Sequence, residues 1–184
     1  MIFENLKLDG ALLIRPDRHV DERGYFVRTY CRETFLQRGL KDCSLQCSTS
    51  FNLRRGTLRG LHLQLGCHSE TKLIRCVRGE VYDVIVDVRD GSPSFGRWHA
   101  EHLTAENGLS LYVPAGYAHG FITLVDETEL LYQMADPFVP KSAGGIVWND
   151  PDLAISWPIE PTIVSSNDHS LPTLKSWMQA RQTF

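Results

Sequence analysis

No stretch of the sequence approaches the ~20 consecutive apolar residues that a membrane-spanning helix needs, so no membrane partner is expected. The opening MIFENLKLDGALLI has no basic segment followed by an apolar core. Glu4 and Asp9 interrupt it, and it does not read as a secretory signal. Positive charge is not in excess either. Nineteen Lys and Arg against 22 Asp and Glu leave a net charge of −3. That argues against a nucleic-acid partner held by bulk positive charge. It leaves room for one phosphorylated small molecule, which needs only two or three placed Arg or Lys side chains. The five cysteines (Cys31, Cys43, Cys47, Cys67 and Cys76) are odd in number, unevenly spaced and contain no CxxC pair. Free thiols in a cytoplasmic chain are expected, each with a structural or incidental role.

Gly and Pro are of ordinary abundance, and there is no internal repeat, linker or charge block. The 184 residues suffice to bury a core without disulfides, and residues 1–184 are expected to form a single domain. Helical signal is sparse. Residues 32–38 suit a short helix stopped near Gly39, and 171–182 suit a C-terminal one with Pro172 in its first turn.

What is abundant is strand signal. Short runs rich in β-branched and aromatic residues occupy 10–15, 24–30, 45–52, 57–64, 72–77, 80–88, 98–104, 109–113, 118–125, 129–134 and 145–148. Arg78-Gly79 is expected to close a tight hairpin between two of them. So many antiparallel strands must close a barrel or stack two sheets to hide their edges, so an all-β fold is expected. In the run 80–88, Tyr82, Val84, Val86 and Val88 form one apolar face and should meet a core. Val81, Asp83, Ile85 and Asp87 form the other, expected to face solvent, with a polar cavity as the alternative.

Two segments carry chemistry. The stretch from Gly108 to Phe121, with Pro114, Gly116 and His119, fits G-x5-P-x-G-x2-H, the second motif of the cupin superfamily. Where metal-dependent cupins have His-x-His, this chain has His62-Leu63-Gln64. His68 and Glu70 lie too close to an expected loop to replace the missing ligand. A stable transition-metal site usually wants three or four ligands, so no bound metal is expected. His99 and His102, three apart on a strand, face opposite sides and do not suit a shared ligand role.

Ordered blocks then carry a fuller resemblance. They are Asp21-Glu22-Arg23-Gly24-Tyr25-Phe26, Arg59-Gly60-Leu61-His62-Leu63-Gln64, and the run from Lys72 to Glu80. Ser92-Pro93-Ser94-Phe95-Gly96, the second motif, Trp148-Asn149-Asp150-Pro151 and Ser165-x-x-Asp168 follow. From about Asp21 to Pro172 the chain resembles the dTDP-4-dehydrorhamnose 3,5-epimerases, metal-free cupins that use no cofactor. The resemblance implies a jelly-roll β-barrel or sandwich, and a homodimer in which an N-terminal strand crosses to the partner. The substrate it implies is a nucleotide-linked 4-keto-6-deoxyhexose, inverted beside the ketone. Such inversion needs a base, an electrophile at the carbonyl oxygen and an acid on the opposite face.

Residue by residue, the resemblance makes His62 the base, Asp168 its orienting carboxylate, Lys72 the cation at the ketone oxygen and Tyr132 the opposing acid. Asp83 is expected to hold the Lys72 ammonium across the hairpin. Arg59 and His119 line the sugar and phosphate end, while Arg23 and Phe26 sit on the crossing strand. There are departures. Ser48, two after Gln46, replaces a common Asn. Arg28 stands where thymidine-specific members often have Glu, and Phe138 where Tyr is common. Asn167 replaces a cation before the Asp, and Ser142 and Ala143 replace frequent acids. All lie away from His62, Lys72, Tyr132 and Asp168, so the reacting centre is intact while the nucleotide handle differs. The leading expectation is inversion at C3 and C5 of dTDP-4-dehydro-6-deoxy-D-glucose. The alternatives are inversion at one carbon, a CDP- or GDP-linked substrate, or a non-catalytic sugar-nucleotide-binding relative.

Overall fold

The computed structural model describes residues 1–181; Gln182, at the end of the expected C-terminal helix, lies outside the described residues. Two six-stranded sheets stack face to face. The first runs β1 (Ile2–Asn5), β2 (Leu12–Arg15), β10 (Ser110–Val113), β7 (Lys72–Arg78), β12 (Thr128–Met134) and β5 (Gln46–Asn52). The second runs β13 (Ala143–Gly145), β6 (Thr57–Gln64), β11 (Tyr117–Thr123), β8 (Glu80–Asp87) and β9 (Trp98–Thr104), with β14 (Ile163–Val164) added beside β6. Only the β14–β6 pairing is parallel. This is the expected all-β sandwich. No described helix is long and apolar enough to cross a membrane.

Alternation along each strand builds the core. Leu13, Ile74, Ile85, Leu111, Phe121 and Leu130 meet between the sheets. The outer face of the first sheet is covered by α1 (Arg32–Gln37), whose fully buried Phe35 packs on Leu12, Ile14, Leu73 and Tyr112. Leu61, Leu63, Val84 and Val86 on the outer face of the second are covered by Ile146, Leu153, Leu174 and Trp177. The last two belong to α3 (Leu174–Arg181). That helix begins three residues later than the sequence suggests, because Thr173 caps it by accepting the Ser176 N–H at 3.2 Å. A four-residue helix, α2 (Ser166–His169), gave no sequence signal.

Two expectations are corrected here. Val81, Asp83, Ile85 and Asp87 do not face solvent. Asp83 and Asp87 are fully buried, because their face, with Val81 and Ile85, turns toward the other sheet, while the C-terminal segments cover the opposite Val84 face. Each acid has partners inside: Asp83 meets His119, and Asp87 accepts from Arg89, Ser92 and Ser94. The Arg78-Gly79 turn exists, with Gly79 at φ +74°, but it joins β7 of one sheet to β8 of the other. It is a corner between layers, and a Cβ at Gly79 would sit 2.4 Å from Thr128 Oγ1. Other boundaries also shift. The run 24–30 forms only β4 (Gly24–Phe26), paired with β3 (His19–Asp21) in an exposed hairpin apart from both sheets. The run 145–148 gives way to β13.

Candidate active site

A cavity of about 1010 Å³ opens at one end of the sandwich, walled by both sheets. Period-2 alternation puts its polar residues there. His62 and Gln64 project inward from β6, Gln46 and Ser48 from β5, and Tyr132 and Met134 from β12. Lys72 opens β7 beside them, and Phe138 and Asn167 stand at the margin. A close approach of two backbones shapes this wall. A Cβ at Gly120 would lie 2.7 Å from the Arg59 carbonyl, and one at Gly60 would lie 2.5 Å from the Gly120 Cα. The β6–β11 register shifts at this point, between His119 and Phe121.

His62 Nε2 lies 2.6 Å from Asp168 Oδ1. An ionised carboxylate only accepts, so Nε2 carries the proton and Nδ1 is the basic nitrogen. The His62 side chain is 44% exposed to the cavity, while Asp168 behind it is 5% exposed. Asp168 is held from two sides. The Ser165 hydroxyl caps α2 by accepting the Asp168 N–H at 3.0 Å, and Asp168 Oδ2 accepts the Gly60 N–H at 3.3 Å.

Tyr132 reaches the cavity from the opposite sheet. Its ring meets His119 edge-on at 5.9 Å between centroids. Burial and the nearby Asp83 carboxylate hold its hydroxyl protonated well above the ordinary tyrosine range, with the Arg59 guanidinium pulling the other way. His119 Nε2 in turn donates to Asp83, 2.9 Å from Oδ2 and 3.0 Å from Oδ1, deep in the sandwich.

The expected Lys72–Asp83 pairing does not form. Lys72 and Asp83 belong to different sheets, and the Asp83 carboxylate is taken by His119. Lys72 Nζ is bound instead by Glu70 Oε1 at 2.7 Å, both side chains nearly buried. Glu70 Oε2 accepts from Gln64 Nε2 at 3.0 Å, and Gln64 Oε1 accepts the Val139 N–H at 2.5 Å. Gln46 Oε1 accepts the Phe138 N–H at 3.0 Å. Arg59 does not line this cavity; it lines an adjoining pocket that shares His62 and Asn167 with it, and donates from Nε to Asn52 Oδ1 at 2.8 Å. Glu70, Gln64 and Asn52 are the site residues whose roles the sequence did not assign. A Glu and a Gln close to a site lysine were the available signal, but only the fold turns them toward it.

The structure thus brings His62, Lys72, Tyr132, Gln46, Ser48 and Phe138 to one cavity, with Asp168 behind His62 and His119 packed behind Tyr132. The departures Ser48, Phe138 and Asn167, expected away from the reacting residues, line the same cavity, because β5 pairs with β12 and brings Ser48 opposite Tyr132. It does not bring Arg23, Phe26 and Arg28 there within one chain. They lie on or just after the β3–β4 hairpin, where Phe26 is 71% exposed and Arg23 is ion-paired with Asp21. Among the described residues, no group of three or more His, Cys, Asp or Glu is placed to hold a metal ion.

Known proteins share this sequence and fold. The profile of the dTDP-4-dehydrorhamnose 3,5-epimerase family matches residues 5–176. The dTDP-4-dehydrorhamnose 3,5-epimerase of Sinorhizobium fredii is 42% identical over 95% of this chain and 90% of its own length. The crystal structure of that enzyme from Elizabethkingia anophelis superposes with a TM-score of 0.92 at 38% identity, covering 96% of this chain and 97% of its own. A dTDP-6-deoxy-D-glucose-3,5-epimerase from Legionella pneumophila, solved with dTDP-4-keto-L-rhamnose, gives 0.88 at 35% identity, covering 95% and 93%. By these likenesses in sequence and fold, this chain belongs to the dTDP-4-dehydrorhamnose 3,5-epimerase family of carbohydrate epimerases.

Proposed function

We propose that the protein inverts C3 and C5 of dTDP-4-dehydro-6-deoxy-D-glucose through an enolate, yielding dTDP-4-dehydro-L-rhamnose. The observation that carries this reading is the opposition of two proton-transfer groups. His62, with Nδ1 free, faces the cavity from β6, and the protonated Tyr132 faces it from β12 in the other sheet. Inversion needs a proton removed from one face of the carbon and another delivered to the opposite face.

His62 takes the hydrogen beside the ketone, and Asp168 stabilises the imidazolium that results. The Lys72 ammonium meets the negative charge that develops on the C4 oxygen. Tyr132 returns a proton from the far side and is itself reprotonated from solvent. Arg59 suits a diphosphate, which its planar fork can meet with two hydrogen bonds. Phe138 supplies an exposed ring for a base, with Gln46 and Ser48 offering an amide and a hydroxyl beside it.

The working unit in this reading is a homodimer of single-domain chains, acting in the cytoplasm. The β3–β4 hairpin of one protomer crosses to the open end of the other's cavity and brings Arg23, Phe26 and Arg28 to the nucleotide. Their exposure in the single chain supports this. Incubation with dTDP-4-dehydro-6-deoxy-D-glucose, followed by NMR of the product, tests the reaction. The L-rhamno configuration is expected. Inversion at one carbon would assign a mono-epimerase. No turnover, with turnover of the CDP or GDP analogue, would replace the nucleotide. Light scattering should give twice the mass of one chain, and a monomer would remove the crossing hairpin.

A further inference from the structure

We propose that Glu70 is a positioning residue for Lys72, tethering its ammonium in the cavity wall and linking it through Gln64 to the segment that carries Phe138. The proposal rests on the epimerase reading, in which Lys72 serves the ketone oxygen.

A lysine–carboxylate pair on an open surface contributes little and holds little. This one is enclosed: the Lys72 and Glu70 side chains are 10% and 7% exposed, with Nζ 2.7 Å from Oε1. The second carboxylate oxygen is also fixed, by Gln64 Nε2 at 3.0 Å. Gln64 is itself held at both ends of its amide, with the two Nε2 hydrogens shared among three acceptors. Its Nε2 also meets the carbonyls of His68 and Pro137, each at 3.1 Å, and its Oε1 takes the Val139 N–H. A continuous line therefore runs from Lys72 through Glu70 and Gln64 to residues 137–139, where Phe138 stands at the cavity margin. His62 and Gln64 are two apart on the inward face of β6, so the base and the tether share one strand.

An ammonium has three donors. Glu70 occupies one and leaves the others for the cavity. Of the other charged and titratable groups near Lys72, the Cys47 thiol on β5 shares the cavity, and the rest are otherwise engaged. His62 on β6 bonds Asp168, and Tyr132 on β12 is protonated. Asp83 on β8 is held by His119. Asp136, after β12, accepts the Thr71 N–H at 3.0 Å and pairs with Lys41 at 3.0 Å. Among the described residues, Glu70 is the carboxylate bonded to Lys72. Without it a nearly buried ammonium loses its bonded counter-ion and is no longer held in one place.

The test compares wild type with Glu70→Gln, Glu70→Ala and Glu70→Asp. Its first readout is the NMR resonance of the Lys72 ε-methylene in carbon-13 lysine-labelled protein at one fixed pH, assigned with Lys72→Arg. The resonance should move toward the free-lysine position in the Gln and Ala variants and be largely restored in Glu70→Asp. In both neutral variants kcat should fall by about tenfold or more with KM little changed. Two neutralising variants of different size keep the test open if one fails to fold. The resonance reports the tether whether or not the protein turns over, so failure of the tether and failure of the epimerase reading give different results. A Lys72 resonance at the same position in wild type and both neutral variants would overturn the proposal.

Discussion

Asp168 receives the Nε2 proton of His62 at 2.6 Å, from a short helix 106 residues further along the chain. The bond selects one imidazole tautomer, with Nδ1 the unprotonated nitrogen of a ring that lines the cavity. Asp168→Ala should therefore lower kcat by about 10²-fold or more with little change in KM, because it removes orientation and imidazolium stabilisation. Steady-state kinetics at one pH reads this directly. A fall confined to KM would mean that Asp168 serves binding.

Tyr132→Phe separates the two proton transfers. The base remains, so the hydrogen taken by His62 should still exchange with solvent. The returning proton is lost, so net inversion should slow by about 10²-fold or more. Exchange followed by mass spectrometry and inversion followed by NMR should diverge in this variant and coincide in wild type. Inversion at the wild-type rate would remove Tyr132 from the reaction.

The contacts of β6 and β11 at Gly60 and Gly120 hold both His62 and His119. A methyl at Gly120 meets the Arg59 carbonyl at 2.7 Å and Leu61 Cδ2 at 2.9 Å. Gly120→Ala should cost about 1–3 kcal/mol of stability by overpacking and reduce turnover as the two strands part. Denaturant unfolding and kcat together check it; unchanged values in both would mean that the strands can separate freely.

Asp87 gives a pH dependence of stability. Burial acts to raise its pKa, but donors from Arg89, Ser92 and Ser94 outweigh burial and hold the carboxyl well below its unfolded value of 3.8. A depressed folded pKa contributes stability that is present above the unfolded value and lost as pH falls below it. Asp87→Asn should therefore lower Tm at pH 7, and the gap from wild type should narrow as pH falls below about 4. A gap that stays constant down to pH 2 would assign Asp87 a packing role alone.

These residues also mark what the sequence could tell. That His62, Lys72 and Tyr132 meet at one cavity with Asp168 behind was legible from short ordered blocks and, for Tyr132, from its strand run, and the strands were legible from alternation. The partners were not. Glu70 and Asp83 carry no mark of which cation or imidazole each will meet, since that depends on how β7 and β8 divide between sheets. The Arg78-Gly79 turn looks the same in sequence whether it closes a hairpin or turns a corner between layers. Asp83 and Asp87 looked solvent-facing because period-2 alternation identifies a strand's two faces but not what covers them. The cover over the Val84 face comes from Ile146, Leu153, Leu174 and Trp177, distant in sequence.

The central claim is that His62 removes a hydrogen beside the C4 ketone. It is tested most directly by incubating the protein with dTDP-4-dehydro-6-deoxy-D-glucose in heavy water, with His62→Ala alongside, and locating deuterium in the recovered sugar. Wild type should place solvent deuterium at both C3 and C5, and His62→Ala should place essentially none. Uptake by His62→Ala at the wild-type rate, or inverted product free of deuterium, would contradict the account.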